Sequence, residues 1–185
     1  MLKLYGGARS RASIVRWYLE ELGIPYEFVQ LDMQAGEHLQ PAYLKINPIG
    51  KVPAISDGDF TLWESGAILL YLAEKYGKQP LSLEQRATLN QWILYANATM
   101  GPGIFSENTR EKEYPRHMTM LNQLFEQHSY VVGEEFSAAD VAVGSLLAYI
   151  PLMLKLDMSE YPGVTSYLQR ISERPAFQMA IANRG

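Results

Sequence analysis

The opening of the chain constrains its fold most. Residues 2–5 are a short apolar run closed by Gly6-Gly7, the pattern of a buried strand entering a turn. From Ser10 the spacing changes: Ile14, Tyr18 and Leu22, joined by Val15 and Leu19, recur at helical intervals and make an apolar stripe. Gly23 is placed to cap that helix in the left-handed conformation, and Pro25 stops it from continuing. Residues 26–31 then read as a second strand. Strand, helix, strand implies a right-handed crossover and a parallel pair.

The following segment, 36–47, is mixed and polar, a short helix with loops. Residues 52–56 and 60–63 read as two brief strands around Asp57-Gly58, a hairpin turn signal. A helix is expected over 65–76, with Ile68, Leu69 and Leu72 inward and Gly77 at its end. Beyond residues 78–82 no comparable strand pattern appears. Ser82 and Gln85 form a capping box. Leu89, Ile93, Ala96 and Met100 mark one face of a long helix, and Met118, Leu121 and Phe125 mark another. Ser137 and Asp140 open a third helix with Phe136 ahead of it, and Val164, Tyr167, Leu168 and Ile171 give a fourth. The expected architecture is α/β plus all-α: a βαβ-ββα domain at 1–77, a linker at 78–82 and an all-helical domain at 83–185.

Composition narrows the chemistry. There is no cysteine among the 185 residues, so disulfides, thiolate metal sites and cysteine nucleophiles are excluded. Net charge is −4 with acids and bases interspersed, which argues against nucleic acid as a partner. His117 and His128 lack companions at metal-ligand spacing, so no metal is expected. Lys3, Arg9, Arg11 and Arg16 followed by Glu20 and Glu21 leave no apolar leader. The longest apolar stretch is broken by Pro151 and Lys155. A cytoplasmic protein without membrane association is expected.

Several linked motifs carry a resemblance. Gly36-Glu-His38-Leu-Gln-Pro41, Ile46-Asn-Pro-Ile-Gly-Lys-Val-Pro53, Trp63-Glu-Ser-Gly-Ala-Ile68, Tyr71-Leu-Ala-Glu-Lys-Tyr76 and Phe136-Ser-Ala-Ala-Asp140 resemble, in order, those of the cytosolic glutathione transferases. The theta- and phi-like branch is most similar through 36–76. Arg9 and Arg11 around Ser10 look more like divergent bacterial, chi-like members. The resemblance implies a thioredoxin-like first domain that binds glutathione as co-substrate. It also implies a helical domain contributing an electrophile site, and a homodimer. Its reaction would conjugate the thiol to small electrophiles in detoxification. The alternative is a binding or scaffold protein of the same fold without useful turnover.

The residues make chemical sense in that role. Glutathione is an extended tripeptide, and such a peptide is held well by an exposed backbone edge. By resemblance Val52 offers that edge, and Val52–Pro53 is the family's cis peptide. Glu64 presents a negative group to the γ-glutamyl amine. Ser65, at the start of a helix, sits among free amides suited to a carboxylate and can also cap the helix. His38 and Lys51 meet the glycyl end, while Leu39 stands where the phi-like pattern often has lysine.

The activating group has two readings. A free thiol has a pKa near 8.5, and lowering it by about two units takes about 2.7 kcal/mol. A hydrogen bond to a charged sulfur supplies roughly 1.5–3 kcal/mol, and a helix N-terminus roughly 0.3–1. One alignment puts the family's serine at Ser10, with Arg11 in electrostatic support. The other puts the tyrosine of other classes at Tyr5. Without the family, Ser10 is a helix cap and Tyr5 a buried strand residue. Arg9, Tyr95, Met100 and Phe105 are electrophile-site candidates by position alone.

Overall fold

A computed structural model describes residues 1–182. The last three positions of the expected 83–185 domain lie outside the described residues. Two compact units emerge: one holds Met1–Pro80 and the segment from Pro175, the other Leu81–Arg174.

The first unit is built on a four-stranded sheet in the order β2-β1-β3-β4. β1 (Leu2–Gly6) runs parallel to β2 (Tyr26–Gln30) and antiparallel to β3 (Ala54–Asp57), which pairs antiparallel with β4 (Phe60–Trp63). The crossover is α1 (Ala12–Leu22), which buries Ile14, Val15, Tyr18 and Leu19 as the spacing requires, with Trp17 added. Gly23 closes it at φ 64°, the left-handed cap that glycine adopts without steric cost. A Cβ on Gly6 would collide with that of Ala12, so only glycine lets α1 begin this close to the sheet. A 3-10 turn (Glu37–Leu39) and the short α2 (Pro41–Leu44) precede β3, and α3 (Ser65–Tyr76) follows β4. The core comprises Leu4, Val15, Leu19, Ile55, Ile68 and Leu72, all withdrawn from solvent. The short α9 (Pro175–Phe177) continues as a π-helical turn, Gln178–Ala182. It returns to this unit, where the Phe177 ring meets the edge of Trp17 at 4.9 Å.

Two expectations shift here. β3 begins at Ala54 rather than residue 52, because Pro53 has no N–H to give the ladder. Ser65 is the first residue of α3 rather than its cap. Glu64 holds the cap position, and its side chain makes no capping hydrogen bond.

The second unit is helical. Its α4 (Leu83–Leu94) opens on the expected capping box of Ser82 and Gln85. The long helix anticipated through Met100 is interrupted, with residues Tyr95–Met100 wound as a π-helix before α5 (Gly101–Phe105). Pro102 removes the amide that would bond the Ala98 carbonyl, and Gly101 reaches Ala96 instead, five residues back. The apolar face survives: Leu89, Ile93, Ala96 and Met100 are all buried. α6 (Glu107–Gln127), α7 (Ala138–Tyr149) and α8 (Pro162–Ser172) complete the unit, with a π-helical turn, Ile150–Leu154, after α7. Phe125 stacks on Tyr167 at 3.8 Å. Buried Asp140 accepts from the Val131 and Ser137 amides and from the Ser137 and Tyr167 hydroxyls. Burial pushes its pKa up to about 6 against those four donors.

Among the described residues no helix is long and apolar enough to cross a membrane. No group of three or more potential metal ligands comes together among them.

Candidate active site

Sheet register decides which loops meet. Tyr5, near the end of β1, pairs with Ala54 at the start of β3, and Ala54 pairs with Trp63 at the end of β4. The turn 7–11, the Val52–Pro53 step and the Glu64–Ser65 corner therefore all leave the same end of the sheet. Residues far apart in sequence become one site because β3 is antiparallel to both neighbours.

At the centre is the Val52–Pro53 bond, which is cis. Val52 is half-buried and lies outside the ladder, so β1 makes no claim on its backbone. Its approach is fixed from behind. The Lys51 carbonyl accepts from the Tyr43 hydroxyl at 2.6 Å and from the Asn47 amide at 2.7 Å. Asn47 also accepts from the Ile49 amide at 3.0 Å, an Asx turn that folds the Pro48–Gly50 corner. Tyr43 and Asn47 are both buried. Burial pushes the Tyr43 pKa up to about 12, which keeps its hydroxyl a donor. The Lys51 side chain itself is exposed.

Glu64 adopts φ 72° and ψ 117°, a left-handed conformation costing a non-glycine residue on the order of 1–3 kcal/mol. It stands exposed ahead of α3, while Ser65 is 4% exposed beside the helix's first amides. His38, in the 3-10 turn, is half-buried, and its Nδ1 is enclosed without a hydrogen-bond partner among the described residues.

Ser10 sits in the turn before α1. Its hydroxyl oxygen accepts from the Gly7 amide at 3.2 Å and from the Ala12 amide at 3.3 Å. A hydroxyl has two acceptor positions and one hydrogen. With both acceptor positions engaged, what Ser10 retains is the ability to donate. Arg9 beside it has φ 55°, and Arg11, at the cap of α1, is exposed. Tyr5 takes a different direction: its hydroxyl lies 3.4 Å from that of Ser56, and its ring is 5.8 Å from Tyr43. Ser56 pairs with Lys3, toward the start of β1, whereas Ser10 follows the other end.

Comparison with known families decides the kinship. Residues 1–74 match the glutathione S-transferase N-terminal domain, and residues 86–184 match the glutathione S-transferase C-terminal domain. The chain belongs to the glutathione S-transferase family. It is 30% identical to glutathione S-transferase F9 of Arabidopsis thaliana, over 98% of this chain and 97% of that one. It is also 30% identical to the disulfide-bond oxidoreductase YfcG of Escherichia coli (strain K12), over 98% and 94%. Among solved structures, glutathione transferase URE2P6 of Phanerochaete chrysosporium, in complex with oxidized glutathione, superposes with TM-score 0.86. It is 28% identical, with 99% of this chain and 96% of that one covered.

The remaining positions of this glutathione S-transferase fall in its helical unit. Tyr95 opens the π-helical segment, and its hydroxyl pairs with His117 Nδ1 at 2.8 Å. Met100 is fully buried and Phe105 half-buried. Sequence reading missed Tyr43 and Asn47, the two residues that hold the Lys51 carbonyl. The Asn-Pro-Ile-Gly run was the available signal for Asn47, since that composition makes an Asx turn. Tyr43 carried none.

Proposed function

We propose that this glutathione S-transferase activates the glutathione thiol with Ser10 and conjugates it to small electrophiles. The observation that carries this reading is the pair of amides on the Ser10 oxygen, which leaves the hydroxyl hydrogen to meet a thiolate. Arg11 supplies positive potential, and Tyr5 is the alternative donor. The tripeptide runs along Val52 and Pro53, with its γ-glutamyl end at Glu64 and Ser65 and its glycyl end toward His38 and Lys51. Residues 1–77 form the glutathione-binding domain, 78–82 the linker, and 83–185 the domain contributing to the electrophile site, its stretch 175–182 packing back on the first unit. The enzyme works as a cytoplasmic homodimer, which light scattering at micromolar concentration checks.

In the reaction the sulfur lone pair forms a carbon–sulfur bond at the electrophile. A halide leaves with its bonding pair, or an addition acceptor takes up a proton. The thiol proton has already gone to solvent. The protein contributes positioning and thiol acidity.

The likeness to a disulfide-bond oxidoreductase supports a second reading. With no cysteine in the chain, any disulfide chemistry uses glutathione's own sulfur. Two glutathione thiols reduce one substrate disulfide to two thiols and become glutathione disulfide. Initial rates on an aryl halide, an isothiocyanate, a hydroperoxide and a small dialkyl disulfide, beside glutathione calorimetry, separate the readings. Thioether formation supports the first, and turnover of the disulfide alone supports the second. No binding at millimolar glutathione overturns both and leaves a scaffold.

A further inference from the structure

The turn that carries Ser10 also walls a cavity on the side of α1 toward β2. This cavity, about 160 Å³, is several times the ~30 Å³ share of one liquid water. Gly7, Ala8, Arg9 and Ser10 line it from the turn, Ser13 and Arg16 from α1, and Phe28 and Gln30 from β2. Two arginines therefore line it and, among the described residues, no carboxylate does. We propose that this cavity holds a carboxylate carried by the electrophile, so that the preferred substrates are small electrophiles bearing one negative charge. The proposal rests on the reading of Ser10 as the thiol-activating residue, because Ser10 belongs to both sites.

Three observations converge. First, Arg16 Nε is enclosed and has no hydrogen-bond partner among the described residues. A guanidinium has five donors and no acceptor, so the part of Arg16 that lines the cavity suits an anionic or carbonyl oxygen. The neighbouring acid, Glu20, accepts from the Tyr26 hydroxyl at 2.7 Å. Arg16 also hydrogen-bonds that hydroxyl, so what it offers the cavity is its remaining donors and its charge. Second, Arg9 brings another guanidinium to the same space, exposed and on a backbone at φ 55°. Arginine matches a carboxylate through two parallel N–H bonds, a geometry lysine lacks. Third, the lining is mixed. Phe28 is 39% exposed and, with Ala12 and Ala180, gives an apolar wall for a carbon skeleton. Ser13 and Gln30 add neutral polar groups. The cations also offset the repulsion a carboxylate would feel from a nearby thiolate.

The test uses two synthetic glutathione conjugates, a carboxylated nitrophenyl thioether and its carboxamide, so that binding is read without turnover. Calorimetry on the intact protein should give the carboxylate roughly ten- to hundredfold tighter binding. Arg16→Met should remove most of that preference, Arg16→Lys should restore part of it, and exposed Arg9→Gln should lower it less. The ratio of kcat/KM for the matching carboxylated and carboxamide aryl halides should move in parallel. Equal affinities in the wild-type protein, or a preference that survives both Arg16→Met and Arg9→Gln, would overturn the proposal while leaving glutathione binding intact. Absence of binding by glutathione itself would overturn the underlying reading and this one together. Thermal melts of the variants establish that each is folded, and Arg9→Gln, at an exposed position, serves if Arg16→Met is not.

Discussion

The Tyr43 hydroxyl donates to the Lys51 carbonyl over 2.6 Å and, with Asn47, holds the residue that leads into Val52 and Pro53. A buried tyrosine outside the peptide edge thereby sets where that edge lies. Tyr43→Phe removes one of the two donors and leaves the ring in place. The expected result is a stability loss of roughly 1 kcal/mol in denaturant unfolding. Glutathione affinity should fall several-fold by calorimetry, with the thiol pKa of bound glutathione unchanged. Unaltered affinity would mean that Asn47 alone fixes the edge.

Ser10→Ala takes away the hydroxyl hydrogen and the oxygen that the Gly7 and Ala12 amides share. With a charge-assisted bond contributing roughly 1.5–3 kcal/mol, turnover should fall about ten- to a hundredfold. The pKa of the bound thiol, followed by thiolate absorbance against pH, should rise by one to two units on the order of that same energy. If neither changes, Ser10 is a cap only and Tyr5→Phe becomes the next variant.

Asp57 receives Lys75 Nζ at 2.6 Å and the Tyr76 and Tyr71 hydroxyls at 2.6 and 2.9 Å. The hydrogen bonds from Lys75 and then Tyr76 hold its carboxyl down at about 2, below an ordinary value of 3.8. A lowered carboxyl pKa stabilises the fold above the unfolded-state value, and that stability is lost as pH falls toward 2. Allowing for the exposure of Lys75, the contribution is roughly 1–2 kcal/mol. Asp57→Asn should therefore lower stability at pH 7 and flatten the loss between about pH 4 and pH 2. An unchanged acid profile would show that other carboxylates govern it.

Asp140 is fully buried and gathers the Val131 amide, the Ser137 cap and the Tyr167 hydroxyl. Asp140→Ala strands those donors, and a loss of about 3 kcal/mol or more is expected in chemical unfolding. Asp140→Asn keeps an oxygen and the volume, so it should cost less. A loss under 1 kcal/mol for the alanine variant, by the same measurement, would mean that water reaches the vacated space.

Much of the fold was legible because it rests on local chemistry. The strand, helix and strand of the opening follow from apolar spacing and from Gly23 and Pro25. The box at Ser82 and Gln85 follows from side chains three residues apart. Where neighbours beyond the local pattern mattered, the reading shifted. The apolar stripe through Met100 held, but Pro102 withheld an amide and the backbone wound into a π-helix. Ser65 had the chemistry of a cap, yet Glu64 turned left-handed and took that position.

By itself the sequence determined the order of the elements, the apolar faces they bury, the absence of any protein thiol and the motifs of the glutathione S-transferases. These depend on residue type and spacing, which a linear chain displays. Only the tertiary structure decided that the 7–11 turn, Val52–Pro53 and Glu64–Ser65 share one end of the sheet, since register is a property of paired strands. It alone set the Ser10 oxygen between two amides, turned the Tyr5 hydroxyl toward Ser56, and enclosed Arg16 Nε without a partner among the described residues. Hydrogen-bond direction and burial arise when distant segments are brought together, and no spacing within a single segment encodes them.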